Sequence, residues 1–169
     1  VYVLAALVAC VWRLHGTQEA LQAVREATDW IERRGGSLGS SLTHGWLLDM
    51  AENRHDGSEQ RKFATTLLRR ARQHDRLGEA MGCRALARAA AKAHEPATAQ
   101  HYLALAERSA QLRGSRHELA VTQLCEAEIC LIEDRRRASL APLDAASEAF
   151  AAMAMPWHLQ QAEALRHLV

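Results

Sequence analysis

Aromatic residues supply only 5% of this 169-residue chain, and it has three prolines. So few rings exclude a core built on aromatic stacking, and no alternating β-branched runs mark strands. A charge excess is missing too: 21 Lys and Arg stand against 20 Asp and Glu, for a formal net charge of +1. Non-specific nucleic-acid binding needs a basic surplus, so nucleic acid is not the expected partner. No long hydrophobic run occurs either. The apolar opening from Val1 to Trp12 falls short of the about 20 residues a membrane span needs, and no basic leader precedes it. No membrane partner is expected. The pattern starts at residue 1 without an initiator Met, so we read the sequence as a segment of a longer chain, its first helix packed against an earlier one.

Motifs that carry chemistry are also lacking. No Gly-rich phosphate loop ending in Lys-Ser/Thr appears, and no Gly-x-Gly-x-x-Gly follows a strand. Residues 35–41 are rich in Gly and Ser but hold no Lys, and are expected to form a flexible connector. Nine histidines fall mainly at helix ends and turns. None forms the His-Glu-x-x-His pair that sets two ligands on one helical face, so solvated or capping roles are expected. Neither metal, cofactor nor catalytic residue is predicted. The cysteines, Cys10, Cys83, Cys125 and Cys130, lie in apolar helical patterns. They read as buried small hydrophobes in a reducing, cytoplasmic setting.

What is present is alanine, leucine and valine in a recurring order. Ala20-x3-Val24-x2-Ala27, Ala64-x3-Leu68-x2-Ala71, Ala99-x3-Leu103-x2-Ala106 and Ser139-x3-Leu143-x2-Ala146 start 44, 35 and 40 residues apart. A period of this size, holding two short helices, marks a helical solenoid. The prediction is all-α, in one domain with repeats over 1–36, 40–75, 77–113 and 115–154 and a terminal helix over 157–169. The third helix is expected from Leu42, and the eighth from Ser139 or kinked there by Pro142. Trp30, Trp46 and Trp157 are read as packing residues.

With both helices of each unit placed, the residues resemble the tetratricopeptide repeat family. Leu4, Leu7, Val8 and Val11 precede Ala20, Val24 and Ala27; Cys83, Leu86, Ala87 and Ala90 precede Ala99, Leu103 and Ala106. Ala87 and Ala99 match the small residues that the family sets twelve apart where its two helices touch. The long periods resemble arrays attached to bacterial signalling ATPases, cyclase-like proteins and large transcription regulators. The resemblance implies a right-handed α-solenoid and a non-catalytic protein- or peptide-binding scaffold, the sensor or partner-binding part of a bacterial regulator. It also implies that the first helix of each pair lines a concave groove. That register puts Arg84, Arg88 and Lys92 on the groove, with Tyr2, Trp12 and Arg13 in matching places on the first helix. Such a surface suits an acidic peptide, because a guanidinium offers fixed donors in a planar fork. The rival reading is a structural segment of a multidomain enzyme whose active site lies elsewhere, or a dimerisation element pairing through the first or last helix.

Overall fold

The computed structural model describes residues 2–35, 37–71 and 76–169. Among them every regular element is a helix: α1 (Tyr2–His15), α2 (Gln18–Arg33), α3 (Ser37–Asn53), α4 (Gly57–Ala71), α5 (Arg76–Lys92), α6 (Pro96–Leu112), α7 (Arg116–Ile132), α8 (Arg136–Ala152) and α9 (Pro156–Arg166). The all-α expectation is met. From α3 onward each helix starts 19 or 20 residues after the one before, and α3, α5, α6, α7 and α8 all have 17 residues.

A recurring turn sets this beat. His55, His94, Gly114, Asp134 and Ala154 each take positive φ just past a helix end. Two backbone bonds then close each turn, as where Met155 N–H donates to the Phe150 carbonyl and Ala154 N–H to that of Ala151, both at 3.0 Å. This Schellman closure satisfies carbonyls that a helix end leaves open. The next helix is entered at once. Side-chain oxygens of Thr17, Asp56 and Ser115 accept from the backbone N–H three residues on.

Two compact units divide the chain, Val1–Gly82 and Cys83–Val169. In the first, α1 packs on α2 and α3, α2 on α3, and α3 on α4. Val24, Ile31, Met50, Ala51, Ala64 and Leu67 are almost wholly buried there. Gly82 fits where a Cβ would lie 3.1 Å from the Ala64 carbonyl oxygen. Glu59 ties Arg25 of α2 to Arg54 of the α3–α4 turn. In the second unit, Ala87, Ala91, Ala99, Leu103, Cys125 and Ile129 form one core, and Leu124, Leu143, Ala146, Phe150 and Ala162 another. Helix α7 buries eight residues and its neighbour α8 only four, because α7 packs on α6, α8 and α9.

Four expectations are corrected. Helix α3 begins at Ser37, so residues 37–41 are not a connector; Gly36 lies outside the described residues. Burial of Ser41 and Thr43 outweighs the weak helix propensity of that stretch. Helix α8 begins at Arg136 with Pro142 inside it. The missing N–H frees only the carbonyl of Ala138, an exposed residue near the helix start. Helix α1 buries Trp12, expected on the groove, together with Ala5 and Ala9, while Leu4, Leu7 and Val11 face outward. Finally, the second recurrence is one helical turn out of register. Counted from the helix starts, Ala64 corresponds to Leu103, and Gln60 stands where Ala99 and Ser139 do. That shift of one turn explains the uneven spacing of the sequence pattern, and the Gln60 amide donates to the Ala51 carbonyl at 3.3 Å.

Candidate functional site

Charged residues of the second unit converge where α5 passes α7. Ser115 caps α7, which places Arg116, His117 and Glu118 in its first turn, where a carboxylate is favoured by the exposed backbone N–H groups. Glu118 points inward and is 6% exposed; Arg84 of α5 is 5% exposed. Arg84 Nη1 donates to Glu118 Oε2 at 2.7 Å and to Thr122 Oγ1 at 3.3 Å. The Cys125 thiol donates to the Arg84 carbonyl at 3.7 Å. One turn further on, Arg88 Nε donates to Glu128 Oε2 at 2.6 Å, with both side chains half-buried. Lys92 follows, exposed, in the last turn of α5.

The electrostatics agree with this pairing. Burial alone would raise the Glu118 pKa, but the hydrogen bond from His117 and the charge of Arg84 outweigh it and hold the group at about 2. Glu126, on the same helix, moves the other way, raised by burial and then by the nearby charge of Glu107. Among the described residues, every buried side-chain nitrogen or oxygen has a hydrogen-bond partner.

The three basic residues singled out in the sequence have unequal surroundings. Arg84, expected on an open groove, is a buried residue whose guanidinium belongs to Glu118, because a cation this desolvated requires a paired anion. Trp12 is likewise buried, as part of the α1 core face. The side chains of Tyr2 and Arg13 lie outside the described residues. Arg88 shares its charge with Glu128, and Lys92 is the exposed member of the stripe. Arg88 and Glu128 lie 40 residues apart, one helix pair along, so no local spacing joins them.

Other polar features divide similarly. Cys83, Cys125 and Cys130 are buried as expected, whereas Cys10 is exposed on the outward face of α1; all four are free thiols. His55 and His94 serve as turn residues at positive φ. Trp30 is more than a third exposed, with the Arg34 guanidinium 4.0 Å from its ring centre. Arg70 bonds Glu32 across α4 and α2, while Arg72 and His74 lie outside the described residues. No described helix is long and apolar enough to cross a membrane. Set against known protein families, curated proteins and solved structures, the chain matches none.

Proposed function

We propose that this chain is an α-solenoid of the tetratricopeptide kind, serving as a non-catalytic scaffold that binds a protein or peptide within a bacterial regulator. The carrying observation is the recurrence of a helix pair every 39 or 40 residues from α3 onward, with α3, α5, α6, α7 and α8 closed by a turn of one type. Stacked pairs of this sort make extended surfaces whose exposed residues vary without disturbing the core. The period exceeds the about 34 residues usual for the family, in line with the longer arrays of signalling proteins. Contacts between alternate helices, α1 with α3 and α7 with α9, are those that stacking requires.

The ligand-facing surface in this reading is the α5–α7 seam. Its cationic character rests on Lys92 and on the share of Arg88 that an acidic ligand takes from Glu128. A fluorescein-labelled Glu-rich decapeptide is the probe, with a Lys-rich peptide as control. Binding that weakens with salt and disappears in Arg88→Gln/Lys92→Gln, at unchanged helicity, supports the groove. Equal binding by that variant overturns it.

A second reading has its own observation. Leu4, Leu7 and Val11 form an outward apolar stripe on α1, 65%, 59% and 45% exposed, which suits self-association. Light scattering across concentration separates the two: a dimer lost in Leu4→Glu/Leu7→Glu assigns that stripe to pairing.

A further inference from the structure

One end of the α5–α7 ladder carries two imidazoles that packing alone does not call for. His117 in the first turn of α7 and His158 in the first turn of α9 bring their Nε2 atoms to 3.4 Å. Their rings are nearly perpendicular, at 87°, with centres 5.2 Å apart. His158 stacks on buried Phe150, ring centres 4.8 Å apart, and the Trp157 ring meets it edge-on. On the other side, His117 Nδ1 lies 3.2 Å from Glu118 Oε1. Glu118 is in turn fixed by Arg84.

We propose that His117 and His158 form a binding site for one divalent transition-metal ion of the zinc, nickel or copper type. At metal–nitrogen distances of about 2.0–2.1 Å, nitrogens 3.4 Å apart subtend roughly the tetrahedral angle at a shared ion. Two imidazoles aimed at one such ion have ring centres about 5.3 Å apart by the same geometry, close to the 5.2 Å found.

Glu118 supplies the supporting shell. A carboxylate only accepts, so the contact with Glu118 Oε1 sets the hydrogen of His117 on Nδ1 and leaves the Nε2 lone pair to face His158. A carboxylate behind a ligating histidine both orients the ring and raises its basicity. The Arg84 clamp, the Phe150 stack and two helix starts pre-set the pair. The His117 side chain is 40% exposed, which gives an ion a route in. No group of three metal-ligating side chains occurs among the described residues, so solvent or an outside ligand completes the coordination. Nickel, zinc and copper all favour imidazole nitrogen, and the site commits to that class over calcium or magnesium, which favour oxygen.

The test titrates the purified chain with NiCl₂ and ZnCl₂ by calorimetry, with CaCl₂ as control. Saturable binding of one ion is expected, together with quenching of Trp157 by nickel. His117→Gln and His158→Gln should each weaken binding at least about tenfold, and His101→Gln, exposed on α6, should leave it unchanged. Binding unaffected in both site variants, or no saturable binding in the parent, overturns the proposal and leaves a plain imidazole–imidazole hydrogen bond. Because losing the Phe150 stack can disturb the fold, a second measurement uses the unaltered protein. Zinc should protect His117 and His158, out of nine histidines, from diethyl pyrocarbonate, read by peptide mass spectrometry. Equal labelling with and without zinc also overturns it.

Discussion

Replacing Arg84 by Met should cost this protein about 3–5 kcal/mol at neutral pH, the usual penalty for leaving one partner of a buried ion pair behind. Methionine retains much of the aliphatic volume, so the loss isolates the charge. The structure supplies an independent scale. Glu118 titrates at about 2 in place of its ordinary 4.5. Every tenfold change in a carboxylate's proton affinity is worth about 1.4 kcal/mol, so ionised Glu118 contributes about 3 kcal/mol, shared between the His117 hydrogen bond and the Arg84 pairing. The sign fixes the pH window. A depressed carboxylate stabilises above its unfolded pKa, and that contribution is lost as pH falls from about 4.5 towards 2. Without Arg84, burial pushes the Glu118 pKa upward, and acid then protonates it at little cost. The deficit of Arg84→Met relative to the parent should therefore be large at neutral pH and shrink in acid. Urea denaturation followed by circular dichroism, at pH about 7 and about 3.5, measures it. The double variant Arg84→Met/Glu118→Leu should recover most of the loss, since no lone charge remains buried. A deficit under about 0.5 kcal/mol, typical of a surface site, or one equal at both pH values, refutes the reasoning.

Ala154 holds a positive φ of 52° at a Schellman turn, a backbone region that a residue bearing a Cβ adopts at a steric cost. Ala154→Gly should raise the urea midpoint by an amount worth about 0.5–1 kcal/mol, after the added freedom of the unfolded chain is offset. Gly82→Ala should do the opposite, losing about 1–3 kcal/mol in the same assay. Its new methyl would press on the Ala64 carbonyl and on Leu67 Cβ, at 3.1 and 3.2 Å. Glu126→Gln should raise the melting temperature at neutral pH, because the half-buried carboxylate beside Glu107 is ionised there at a cost; the advantage should vanish once acid protonates Glu126 in the parent.

Helix identity was legible because Ala and Leu recur with helical spacing and glycines or prolines punctuate most boundaries. The α6 limits, Pro96–Leu112, follow from proline at one end and Gly114 after the other. What stayed hidden depended on tertiary partners. Residues 37–41 have connector composition, and the burial of Ser41 and neighbouring Thr43 favours helix there. In α1 the repeat register put Trp12 on the groove, yet it is buried on one face with Ala5 and Ala9. For the candidate site, helical spacing placed Arg84, Arg88 and Lys92 together on one helix, α5. It could not say that Glu118 and Glu128 face them, because that depends on how two helices from separate repeats align. His117 and His158 lie 41 residues apart and share no local pattern, so only the folded α7–α9 contact brings them together.

The regular beat of helix and turn also bears on how the chain reaches its structure. Many of its long-range bonds join residues one helix pair apart, such as Arg84 to Glu118 and Arg88 to Glu128, 34 and 40 positions along the chain. Chains whose partners lie this close in sequence close short loops and reach their folds quickly, compared with chains whose first contacts span the whole length. A nascent segment can thus settle a hairpin soon after about 40 residues have left the ribosome, with the next hairpin added to a surface already formed. Synthesis from the N-terminus then becomes the order of assembly.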